Sequence, residues 1–151
     1  MWETQKAELR KDIRSRLKAM PEEEKRILDR EIAERVLGLP EIAETKAVYG
    51  YASLNWEAGT GEVLEELRAQ KYIICLPKVT GETMEFFVTE SEQDLSEGSF
   101  HIMEPKNGCR KADETRSEIL RTAPILVPGM GFVETGARLG KGGGFYDRYL
   151  E

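Results

Sequence analysis

The segment Arg138-Leu-Gly-Lys-Gly-Gly-Gly-Phe-Tyr-Asp147 gathers residue types that can do chemistry on an anion. Glycines let backbone N–H groups approach phosphate oxygens closely. A helix expected to begin after Gly144 adds unpaired donors and the positive end of its dipole. That dipole contributes about 0.3–2 kcal/mol to holding an anion, so a polyphosphate needs cations too. Arg138 and Lys141 flank the glycines, and Asp147 can hold a Mg2+ that bridges phosphate oxygens. A P-loop would place a glycine where Thr135 stands and a hydroxyl residue where Gly142 stands, and a dinucleotide fingerprint begun at Gly140 meets Phe145 instead of Gly or Ala. Another architecture is therefore required. A glycine turn that merely caps a helix is the plainer reading, but one glycine would serve for that.

The elements that must position this bend follow from periodicity. From about Thr4 to Met20, Leu9, Ile13 and Leu17 recur at the spacing of one helical face, and Lys6, Arg10, Arg14 and Lys18 form a basic stripe beside them. Arg14 and Lys18 read by default as a solvated face. Pro21 and the acids after it start a second helix, whose buried face is expected at Leu28, Ile32 and Val36 and whose end falls at Gly38 and Pro40. Ala47–Tyr51 reads as a strand, residues 62–70 as a helix and Tyr72–Pro77 as a second strand, which together predict a parallel crossover unit. Met84–Val88 adds a third strand, and residues 89–117 read as loops with at most one short strand around Phe100. Pro124–Pro128 reads as a buried strand leading through Gly129-Met-Gly-Phe132 into the glycine bend, which this places at the carboxyl edge of a parallel sheet, where open α/β folds bind ligands.

Composition narrows the function classes. At 151 residues, 40% hydrophobic and 33% charged, the chain describes a single domain with a real core, residues 1–151. Its net charge of −6 argues against a nucleic-acid or membrane partner. The two cysteines, Cys75 in an apolar run and Cys109 in a polar one, fit a reducing compartment, and no apolar run reaches the roughly 20 residues of a membrane span. A cytoplasmic location is the default expectation. The single histidine, His101, has no neighbours at metal-ligand spacing, which leaves no zinc site in view.

Taken together, Lys6-Ala-Glu-Leu-Arg10, Tyr51-Ala-Ser-Leu-Asn-Trp-Glu57, Leu76-Pro-Lys78, Glu104-Pro105 and Ile125–Phe132 running into Arg138–Asp147 resemble the 5-formyltetrahydrofolate cyclo-ligase family. The resemblance implies a three-layer α/β/α sandwich with a mostly parallel sheet, like that of sugar-phosphate isomerases and CoA transferases. It implies ATP- and Mg2+-dependent conversion of 5-formyltetrahydrofolate to 5,10-methenyltetrahydrofolate. Carried over by position, Lys6, Ala7, Glu8, Leu9 and Arg10 contact ATP together with Arg138, Leu139, Gly140, Lys141, Gly142, Gly143, Gly144, Phe145 and Tyr146. Asp147 sits on Mg2+, and Glu57 and the backbone near Ala52 meet the folate. Lys141, with Arg138, is the group expected nearest the migrating phosphoryl. Trp56, Phe132 and Tyr146 either stack on a ligand ring or serve packing.

Two departures from the family accompany the match. Val133 stands where an acid is usual, and the family continues beyond the Tyr-Asp block with further strands and another Mg2+-linked acid, whereas this sequence ends at Glu151. A C-terminally shortened domain follows as an expectation. Three states then stand open: an active monomer, a noncatalytic folate- or nucleotide-binding remnant, and a fragment that self-associates or takes a partner through an exposed sheet edge.

Overall fold

The computed structural model describes residues 2–115 and 117–151. Helices α1 (Trp2–Ala19), α2 (Glu22–Leu37) and α3 (Pro40–Ala43) precede β1 (Ala47–Tyr49), α4 (Gly61–Ala69), β2 (Ile73–Thr80) and β3 (Thr83–Thr89). Then come β4 (Leu95–Glu97), β5 (Met103–Pro105), α5 (Glu118–Arg121), β6 (Gly131–Phe132), β7 (Arg138–Leu139) and α6 (Phe145–Tyr149).

β1 pairs with β2 in parallel through Val48 and Ile74, as the crossover through α4 requires, and β2 pairs antiparallel with β3 across the Gly81 turn. The central sheet is thus mixed, with one parallel and one antiparallel pair in the order β1-β2-β3. Alternation along β2 sends Ile74 and Leu76 to one face and Cys75 to the other. The first face packs Val48, Val63, Leu67 and Ile42, and the second packs Ala47, Phe86, Ala112 and Leu120 with the rings of α6. Each face is therefore covered, in a mixed α/β fold.

Several expectations shift. Pro124–Pro128 forms a single parallel bridge, Tyr49 with Ile125, and residues 124–127 are half-buried. Tyr49 donates to Pro124 O at 2.9 Å and accepts from Leu126 N at 2.8 Å. The two prolines restrict further pairing, so a full buried strand does not form. The bend at 140–144 follows β7, the returning arm of a hairpin with β6, and not a strand of the parallel sheet. Residues 89–117 carry a β4–β5 hairpin where loops were expected. In α2 the buried residue is Ala33, while Leu28 and Ile32 are 39% and 40% exposed and line a cavity of about 160 Å³ with Leu17 and Met20. The helix docks through Ala33, Val36 and Leu37 on the core, and Asp29, paired with Lys25 on the same helix, adds a polar tie by accepting from Gly59 N at 2.9 Å.

α1 buries no residue completely. Its half-buried line is Lys6, Arg10, Ile13, Arg14 and Leu17, the seam between the apolar and basic stripes, while Leu9 is 50% exposed. The helix rests on the loops of the site described next, so its basic residues face them in place of a hydrophobic core.

Candidate active site

The carboxyl ends of β1 and β2 open onto a cavity of about 480 Å³, lined after β1 by Tyr51, Ala52, Leu54, Trp56 and Glu57 and on β2 by Pro77 and Val79. That is the position where parallel strands leave a crevice. Its lining falls into two chemical classes. One is basic and glycine-rich: Arg10 and Arg14 from α1, Arg138 from β7, then Gly140 through Gly144. The other is apolar, from β2 and from Phe100 and Ile102 in the β4–β5 hairpin.

The bend is open because glycine permits it. Gly142 and Gly144 take φ of 111° and 72°, which side chains avoid, and the backbone N–H groups of Lys141, Gly142, Gly143 and Gly144 donate to no acceptor among the described residues. α6 spans only 5 residues, so its dipole is small and these N–H groups are the stronger local donors. Arg10 Nε donates to Gly140 O at 2.8 Å, tying α1 to the bend across 130 residues of sequence. Arg138 donates to Pro128 O at 2.8 Å and pairs with Asp147 Oδ1 at 2.9 Å, with its guanidinium over the Tyr146 ring. A carbonyl and a carboxylate thus hold this guanidinium in the cavity wall.

Glu57 is 8% exposed. A tight turn sets it: Leu54 N donates to Oε1 at 2.8 Å, and Lys141 Nζ lies 3.1 Å from Oε2. The two residues expected at the folate and at the phosphoryl group are therefore joined in one ion pair. Tyr146 Oη is buried against the cavity without a hydrogen-bond partner among the described residues. Burial pushes its pKa well above the ordinary phenol value, with Tyr51 and Glu57 adding to the rise, so it stays a neutral donor. Burial likewise pushes Tyr51 up to about 12, and its hydroxyl donates to Ala58 O at 3.0 Å.

Trp56 lines the cavity with the Arg14 guanidinium 5.5 Å from its ring centroid. Phe132 does not reach the cavity; it lies on β6 and is 64% exposed. Lys6, Ala7, Glu8, Leu9 and Leu139 are not in the lining either. Lys6, one turn before Arg10, sits 3.7 Å from Glu3 and over the Trp2 ring. Asp147 lines the cavity, and among the described residues no group of three or more His, Cys, Asp or Glu side chains is placed to hold a metal. Asp147 is exposed with its Oδ1 on Arg138, so a Mg2+ here would have this one carboxylate from the chain and would take its other ligands from a bound phosphate and water.

The apolar wall went unread in sequence. Phe100, Ile102 and Val79 carry no motif, and Tyr51 and Glu104 stood inside quoted segments without a role. Glu104 is 7% exposed in that wall, accepting from Val79 N at 2.7 Å and Ser99 N at 3.3 Å. β2 outruns β1, whose register ends at Cys75, so the edge beyond it is managed by Pro77, which has no N–H, and by Glu104 taking the Val79 N–H.

Comparison with known proteins adds the following. The model of the 5-formyltetrahydrofolate cyclo-ligase family matches residues 3–151. A 5-formyltetrahydrofolate cyclo-ligase of Escherichia coli K12 is 30% identical over 92% of this chain and 76% of its own length. The protein of that name in Mus musculus is 27% identical over 95% of this chain and 72% of its own length. The NMR structure of Aquifex aeolicus 5,10-methenyltetrahydrofolate synthetase superimposes with a TM-score of 0.78 at 31% identity, over 96% of this chain and 71% of that one. The Mycoplasma pneumoniae synthetase structure, with a TM-score of 0.68 at 24% identity over 96% and 76% of the two chains, agrees in fold.

Proposed function

Since the chain belongs to the 5-formyltetrahydrofolate cyclo-ligase family, we propose that it converts 5-formyltetrahydrofolate and ATP to 5,10-methenyltetrahydrofolate, ADP and phosphate in the 480 Å³ cavity. The observation that carries this reading is the convergence of Arg10, Arg138, Lys141 and the unpaired N–H groups of residues 141–144 on one cavity whose other wall is apolar. A polyphosphate needs the first set, and a folate ring system is served by the second.

The N-formyl group is an amide and a poor electrophile, so it must be activated before it can close a ring. The γ-phosphoryl group passes to the formyl oxygen, ADP leaves, the neighbouring amine nitrogen attacks the formyl carbon, and phosphate departs as the C–O bond breaks. Such a transfer depends on position and charge neutralisation more than on a protein base. Arg10 and Arg138 hold the phosphates against the glycine amides, and Lys141 neutralises the transferring group. Lys6, on the same face of α1 as Arg10, extends the cationic track for the triphosphate. Asp147 would hold Mg2+, which would supply further charge neutralisation for the phosphoryl group when bound. Glu57 accepts from the pterin edge, Ala52 offers backbone beside it, and Trp56 provides a stacking face. In the free protein Lys141 sits on Glu57, so a phosphate that recruits Lys141 also releases the Glu57 carboxylate for the folate.

The test is formation of the methenyl chromophore from 5-formyltetrahydrofolate with and without ATP and Mg2+. Chromophore appearing in proportion to ADP supports the reading. Tight binding of both ligands without turnover would instead make the chain a noncatalytic binder.

A further inference from the structure

We propose that Glu104 is a positioning residue for the folate: its buried carboxylate pins the turn between β4 and β5, so that Phe100 forms a wall against the flat aromatic part of the substrate. The substrate's identity rests on the reading above; the mechanical role of Glu104 does not.

Three observations converge on this turn. First, Phe100 and His101 take φ of 59° and 60°, a left-handed pair of non-glycine residues. Such a conformation persists where the surroundings over-determine it, and it gathers at sites where a side chain must be aimed. Second, the restraint is Glu104, 7% exposed at the base of the hairpin, whose two oxygens accept from Val79 N of β2 and Ser99 N of the turn. The carboxylate thus joins the turn to the central sheet. Gly98 N donating to Ile102 O at 2.8 Å and Ile102 N donating to Ser99 O at 3.1 Å close the loop above it. Third, Gly98 has an ordinary φ of −117°, so its lack of a side chain is not explained by conformation. A Cβ built there lands on Glu104 Oε1. Glycine at 98 is the space the carboxylate needs.

The consequence of this restraint is Phe100. Its ring lines the cavity yet is 72% exposed, so packing does not account for its position. An aromatic ring held over a cavity mouth without a core to join has a ligand face as its use. Its neighbours in the wall, Val79 and Ile102, are apolar, whereas the guanidinium and glycine groups suited to phosphate come from α1 and residues 138–144. The ring therefore meets the folate and not the triphosphate.

Steady-state kinetics with both substrates test this on Glu104→Gln, Gly98→Ala, Phe100→Ala and the double variant Glu104→Gln/Phe100→Ala. Each single change is expected to raise KM for 5-formyltetrahydrofolate about tenfold while kcat and KM for ATP stay within about twofold. The double variant is expected to match Phe100→Ala alone, because Glu104 acts through that ring. An unchanged folate KM in Phe100→Ala, a shift in the ATP KM instead, or an undiminished Glu104→Gln effect in the Phe100→Ala background overturns the proposal. Amide exchange at Ser99 in the free protein separates the two failures. Glu104→Gln should speed it at least tenfold whether or not the wild type turns over folate, and unchanged protection removes the restraint itself.

Discussion

Two bends meet at the cavity, and both rely on left-handed backbone. The bend at residues 140–144 reaches that conformation with Gly142 and Gly144, while the turn at 98–102 reaches it with Phe100 and His101. Glycine adopts positive φ without steric cost, so the first bend needs little outside help, and the N–H groups of residues 141–144 have no acceptor among the described residues. The second must be held, by Glu104 below and the loop hydrogen bonds above, and what it presents is a side chain. The first bend exposes backbone; the second restrains backbone and exposes a ring.

The comparison breaks most sharply at the charges of the first bend. Lys141→Ala should lower kcat/KM by about 10²–10³ in the coupled assay, the loss typical of a donor aimed at developing charge. Thermal unfolding measured alongside separates that effect from the cost of leaving Glu57 buried without its partner. Gly142→Ala forces a side chain into φ of 111° beside the Arg10 guanidinium. It should raise KM for ATP roughly tenfold and destabilise the fold by about 1–2 kcal/mol, as read by ATP titration and denaturant melts.

Smaller effects sharpen it. Tyr146→Phe removes a buried hydroxyl that has no partner among the described residues, so stability should hold or rise by up to about 1 kcal/mol while ligand binding weakens about fivefold. Because burial keeps that phenol protonated, the binding defect should not vary between about pH 6 and 9. A defect that vanished at high pH would contradict the neutral-donor role. At the second turn, His101→Gly relieves a left-handed residue whose side chain is exposed and should stabilise by about 0.5–1 kcal/mol without altering KM for ATP.

The same contrast explains what could be read from the sequence. The glycine bend and the crossover β1-α4-β2 were visible, since a run of small residues and an apolar strand with a helix between carry their physics locally. The hairpin at 95–105 was not, because its restraint lies in a carboxylate reaching β2 across 25 residues and its left-handed positions bear no glycine. Helix α1 falls between the two. Its periodicity gave the element, but the docked seam at Arg10, Ile13 and Arg14 is set by loops far along the chain and not by a core. Pro124–Pro128 misled because hydrophobicity there signals strand, while pairing stops at the single bridge to Tyr49.

The central claim is that polyphosphate and folate meet in one cavity, with the glycine bend, Arg10, Arg138 and Lys141 serving the transferred phosphoryl group. Single-turnover measurement of ADP and methenyl chromophore on this 151-residue chain and on Lys141→Ala tests it most directly. Equal yields of both products from the wild type, slowed together by about 10²–10³ in the variant, are predicted. Identical rates from the two proteins, or ADP released with no chromophore, would contradict it.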